Sequence, residues 1–98
     1  MYTTAQAQRG QRVFSQVCAS CHSRGEFQGR MFEMTWMSRP VSDFFEHIST
    51  SMPQDRPGAL RPEEYAAVVA YVLQLNGRPA GEQELPLDAA ALVEIRWK

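Results

Sequence analysis

The run Val17-Cys18-Ala19-Ser20-Cys21-His22-Ser23 decides how the rest of this chain is read. Its C-x-x-C-H spacing is the sequence signature of c-type haem attachment. Two thiols three positions apart on a helical turn sit about 5–6 Å from one another, which lets Cys18 and Cys21 add to the two vinyl groups on one porphyrin edge. The imidazole of the adjacent His22 then falls under the iron as its proximal ligand. Two other chemistries use a C-x-x-C pair. A thioredoxin-type dithiol expects a βαβ setting, and no alternating strand pattern flanks this run. A structural zinc site takes about four protein ligands, and beyond Cys18, Cys21 and His22 the chain offers only His47 and carboxylates.

The chain around the motif has 98 residues, 44% apolar and 21% charged, with a net charge of −1. That profile fits one small domain spanning residues 1–98. Ten basic residues against eleven acidic ones argue against nonspecific nucleic-acid binding. No apolar run approaches the roughly 20 residues of a membrane-spanning helix, so no membrane insertion is expected. A domain this small buries a modest share of its surface and commonly adds a cofactor to its core.

Hydrophobic spacing predicts an all-α chain. Gly10, Val13, Phe14 and Val17 fall at helical intervals over about Thr4–Val17, a helix that delivers the haem motif. Residues Arg24 to Pro40 show no clean period and read as a loop with at most a short helical turn. Such a long loop is usually functional or packed on something. A second helix runs from Val41 or Ser42 to Thr50, with Ser42 as the candidate N-cap, and stops before Met52-Pro53 because the residue ahead of proline is pushed out of the α region. The third helix, Pro62–Leu75, has Pro at its start, Glu63 and Glu64 near the positive dipole end and Asn76-Gly77 at its close. Tyr65, Val68, Val69, Val72 and Leu75 form its expected buried stripe. A last short helix is expected over about Asp88–Ile95.

A haem held by His22 alone leaves one iron position open, and its occupant separates an electron carrier from a gas binder or peroxidase. The candidates are Met31, Met34, Met37, Met52 and His47. A methionine is by default a flexible core filler. Met52 departs from that default, because it follows a helix in a loop stiffened by Pro53 and Pro57, where little conformational entropy is left to lose. Met52 is therefore the expected axial ligand. Met31, Met34 and Met37 are expected to pack at the haem edge, and His47 to be a solvated side chain.

Taken together, Gly10-x3-Phe14 before Cys18-x-x-Cys21-His22, the helix leading to Met52-Pro53, Pro57-Gly58-x-Leu60 and Tyr65-x-x-Val68-Val69-Ala70-Tyr71-Val72-Leu73 resemble a class I bacterial c-type cytochrome. The resemblance implies a small class I cytochrome c fold, three main helices plus a short C-terminal one around a single covalent haem c. It also implies that Gly10 and Phe14 meet Tyr71, which accounts for a glycine on an apolar stripe. The stretch Ala70-Tyr71-Val72-Leu73-x-Leu75-Asn76-Gly77 with Pro79-Ala80-Gly81 is similar to cytochrome c subunits that accept electrons from quinoprotein dehydrogenases. Residues 1–8 hold no apolar run of signal-peptide kind. The resemblance places haem attachment outside the cytoplasmic membrane, so it implies a periplasmic protein whose export signal or upstream domain lies outside this sequence.

The expected function is one-electron transfer between a dehydrogenase donor and a cytochrome or oxidase acceptor, with Cys18, Cys21, His22 and Met52 as haem residues, His22 and Met52 as iron ligands, and no catalytic side chain. The rival is a five-coordinate haem protein that binds a diatomic gas or reduces peroxide. That chemistry wants a distal acid or base, for which His47 is the one obvious candidate. Lys98 is the sole lysine, so the lysine ring of mitochondrial cytochromes is missing. Formal charge runs +2 over residues 1–23, 0 over 24–61 and −3 over 62–98. With Val17, Ala19, Phe27, Pro53 and Pro57 among the charges near the expected haem edge, the docking face is expected to be apolar and mixed in charge.

Overall fold

The helix Pro62–Leu75 packs against both Thr4–Val13 and Val41–Ser51, and its ends form where capping chemistry calls for them. The computed structural model describes residues 2–18, 24–52, 56, 58–87 and 89–97. In chain order these form α1 (Thr4–Val13), a π-helical turn (Phe14–Cys18), a 3-10 turn (Arg24–Phe27), α2 (Arg30–Trp36), α3 (Val41–Ser51), α4 (Pro62–Leu75) and α5 (Ala89–Leu92). No strand occurs among the described residues, so the expected all-α architecture is observed. The radius of gyration is 12.1 Å, against about 13 Å for a compact chain of this length.

α4 begins with Pro62, and the Glu64 carboxylate accepts a 3.0 Å hydrogen bond from the Arg61 N–H, satisfying a donor that the helix start leaves free. Gly77, at φ +85°, ends it. Its buried surface is wider than the expected stripe: every residue from Tyr65 to Leu73 is buried, whereas Leu75 is only partly so. α1 and α3 both pack on α4, and a helix covered on several sides needs apolar or small residues all round.

α1 starts at Thr3, whose Oγ1 accepts from the Gln6 N–H at 3.0 Å. At its crossing with α4 the backbones touch. A Cβ on Gly10 would lie 1.8 Å from the Ala67 carbonyl oxygen and 3.0 Å from Tyr71 Cβ. The Phe14 ring sits 5.6 Å from that of Tyr71, so the meeting of Gly10 and Phe14 with Tyr71 is as expected. The α-helix does not run to Val17. It widens after Val13 into the π turn that ends at Cys18.

Three local expectations are corrected. Residues 24–40 are not a loop but a 3-10 turn and a two-turn helix, α2, entered through Gly29 at φ +89°. Its inward pair, Phe32 and Trp36 at i and i+4, was hidden in the sequence by methionines on the opposite side. Ser42 is not the cap of α3: that role falls to Pro40, and Ser42 is buried within the helix. The last helix is shorter than expected, Ala89–Leu92, and turns at once through the N–H of Ile95 onto the Leu92 carbonyl.

The C-terminal segment straps the domain together. Tyr2 donates its hydroxyl to the Arg78 carbonyl, Gly81 N–H bonds the Tyr2 carbonyl, and the buried Gln6 Oε1 accepts from the Leu85 N–H at 2.8 Å. Arg9 pairs with Glu84 at 2.6 Å, a bond that holds the Glu84 carboxyl below its ordinary pKa. Beyond α5, Ile95 accepts from the Val41 N–H, and Trp97 inserts between Phe32 and Phe44 at 5.2 and 5.5 Å between ring centroids. An aromatic chain thus runs from Tyr71 through Phe14, Phe27 and Phe44 to Trp97. Phe27 is partly buried and packs against the core through that chain.

Candidate functional site

Of the four expected haem residues, Cys18 and Met52 lie among the described residues, and Cys21 and His22 lie outside them. Cys18 closes the π turn and is half-buried. Burial pushes its thiol above the ordinary cysteine value.

Met52 is fixed by its backbone. It leaves α3 in extended conformation at φ −123°, ψ 148°. Its N–H donates to the Ile48 carbonyl at 3.0 Å, and its own carbonyl accepts from Gly58 N–H at 3.3 Å and from the Tyr65 hydroxyl at 2.6 Å. The Tyr65 oxygen in turn accepts from the Leu60 N–H at 3.3 Å. Gly58 takes φ +76° to make this return, a conformation that glycine adopts without strain. The first turn of α4 therefore clamps both sides of the loop that follows α3. The Met52 side chain is half-buried and packs against the hydrophobic cluster, as do Val13, Phe45 and Leu60.

Sequence reasoning placed Tyr65 on the buried stripe but missed its phenol, although a buried tyrosine hydroxyl nearly always finds a partner. It also missed Asn76. Taken only as a helix stop, Asn76 donates from Nδ2 at 2.8 Å to both the Phe27 and Val72 carbonyls, tying the turn that follows the cysteine motif to the end of α4. Tyr65→Phe removes the donor to Met52 and the acceptor for Leu60, which costs about 1–2 kcal/mol. In a urea titration it lowers the unfolding midpoint accordingly. An unchanged midpoint would mean that the phenol holds nothing.

The other ligand candidates are placed differently. His47 is exposed, as expected, with its ring 5.4 Å from that of Trp36. Met31 and Met34 are 78% and 72% exposed. Met37 is partly buried against the core.

The donor set fits a c-type haem. A half-buried cysteine at the end of a helical turn could form a thioether to the ring, and a methionine whose backbone is fixed at a helix exit could supply a soft axial sulfur. Cys18, Cys21, His22 and Met52 would hold the group. A family profile described as cytochrome c oxidase, cbb3-type, subunit III matches residues 5–72, a span that contains all four and ends before Asn76 and the C-terminal strap. No curated protein and no solved structure gives a match.

Proposed function

This chain belongs to the family of cytochrome c oxidase, cbb3-type, subunit III, a c-type cytochrome family, and we propose that it is a monohaem electron carrier whose iron is held by His22 and Met52. Electron transfer and haem c come with the family. The finer reading is that residues 1–98 form one domain, that Cys18 and Cys21 both bond the ring covalently, and that the protein works in the periplasm. There it takes one electron from a dehydrogenase of the quinoprotein kind and passes it to a cytochrome or oxidase. The haem, when bound, supplies the ferric/ferrous couple.

The observation that carries this reading is the fixed backbone of Met52. Its amide and carbonyl are held by Ile48, Gly58 and Tyr65, which fixes the Cα from which the thioether would reach a bound haem and would limit reorganisation there. Its sulfur is soft and uncharged, which favours ferrous iron and raises the potential relative to a second imidazole. Were Met52 to hold the iron opposite His22, it would compete with a gas or peroxide for that position.

Docking follows from the charge distribution. The segment that carries Met52 is electrically balanced, and its ion pairs, such as Arg39 with Asp43 at 2.9 Å, are neutralised locally. Strong electrostatic steering needs a single-sign field. Rapid mixing of the reduced protein with its acceptor should therefore show a rate that changes only severalfold between about 10 and 150 mM salt. A hundredfold fall over that range would point to a charged docking ring and contradict the proposal.

A further inference from the structure

α2 and its C-cap carry three thioethers in register, two on the outer side and one at the edge of the core. Met31, Met34 and Met37 follow one another in three-residue steps. Met37, the C-cap, keeps a right-handed helical conformation at φ −63°, ψ −27°, so successive members stand about 5–6 Å apart at Cβ. Phe32 and Trp36 take the inward side of the same helix, in contact with Phe44. Met31 and Met34 are the two most exposed large apolar side chains among the described residues, and Met37 carries the stripe down to the edge of the core. Core packing accounts for Met37 but not for Met31 or Met34, and the electron-transfer reading uses Met52 instead.

We propose that Met31, Met34 and Met37 form a binding site for Cu(I), held by three thioether sulfurs on the surface of α2. Thioethers are soft, neutral donors that select Cu(I) over hard or borderline divalent ions. Each methionine has three rotatable side-chain bonds, so arms spaced three residues apart over fewer than two turns can converge on one ion. The surroundings are close to neutral. Arg30 and Glu33 lie on α2 itself, Arg39 is paired with Asp43 and sits 4.6 Å over the Trp36 ring, and His47 lies against the inward-facing Trp36, apart from the ligand set. Because a thioether has no proton to lose, the site's affinity does not depend on pH, whereas a cysteine or histidine site releases protons on binding.

The test uses the holoprotein labelled with 13C-methyl methionine and titrated with Ag(I), which shares the soft preference of Cu(I) but cannot reduce the haem. The methyl signals of Met31, Met34 and Met37 should shift together and saturate at one ion per chain, with the same midpoint at about pH 6 and about pH 8. The Met52 signal and the visible spectrum should not move. The double variant Met31→Leu/Met34→Leu keeps the size and exposure of the side chains and should weaken binding about a hundredfold or more. Cu(I) added to the ferrous holoprotein should shift the same three methyls. Shifts confined to Met1 or Met52, or undiminished affinity in the double variant, would overturn the site. The proposal does not rest on the haem reading: cysteines left free of haem would take Ag(I) with a pH-dependent midpoint and without moving these methyls.

Discussion

Met52→Ala should turn a protein that excludes carbon monoxide into one that binds it readily in the ferrous state. The wild-type ferric protein should show the weak near-infrared absorption of an iron–sulfur bond, and the variant should lose it. Its midpoint potential should fall by on the order of 0.1–0.3 V, part of the roughly 0.8 V span that axial ligands command. The fold should survive, because the hydrogen bonds around Met52 are made by its backbone to Ile48, Gly58 and Tyr65 and persist with alanine. If the absorption remained in Met52→Ala and vanished on changing Met31, Met34 or Met37, the ligand assignment would be wrong. Tight carbon monoxide binding by the wild type would instead favour the five-coordinate rival.

Gly10→Ala should be the most damaging single methyl that can be added to α1. Elsewhere in a helix interior, alanine gains about 1 kcal/mol over glycine. Here the new Cβ would sit 1.8 Å from the Ala67 carbonyl oxygen and 2.4 Å from its carbon. Those are backbone atoms of a fully packed helix, with no flexible end to swing aside. α1 and α4 would have to separate by more than an ångström, which also pulls Phe14 from Tyr71. Overpacking typically costs about 1–3 kcal/mol and more when backbone must move, so a net loss near 3 kcal/mol is expected. For a domain of this length each kcal/mol is worth about 4–8 °C, so the melting temperature should drop by more than about 10 °C. A rise of a few degrees, the helix-propensity effect alone, would show that the two backbones do not touch.

These effects fall on the features most legible in the sequence. The bounds of α4 could be read because proline, paired glutamates and Asn-Gly all mark the same ends, and Gly10 because a glycine on an apolar stripe demands a reason. α2 was illegible for a definite cause: its solvent side is as apolar as its inward side, so Met31 and Met34 erase the helical period that Phe32 and Trp36 would otherwise show. The C-terminal strap was illegible for another. Trp97 is buried by rings more than fifty residues away, Phe32 and Phe44, and nothing local to Ile95-Arg96-Trp97 announces that contact. At the site, the residue types and spacing pointed to Cys18, Cys21, His22 and Met52. The clamp on the Met52 backbone depends on a phenol thirteen residues further on, and the turn after the cysteine motif is held by Asn76 reaching across 49 residues to Phe27. Polar side-chain partners at such separations leave no periodic trace.

The central claim, one haem bound covalently through Cys18 and Cys21, is tested most directly by a denaturing mass spectrum of the purified protein after extraction with acid and organic solvent. The account predicts a single species with the mass of the polypeptide plus one haem, shifting to a loosely held or absent haem when Cys18 and Cys21 are replaced by alanine. A wild-type spectrum at the mass of the bare chain, with all the haem in the solvent phase, would contradict it.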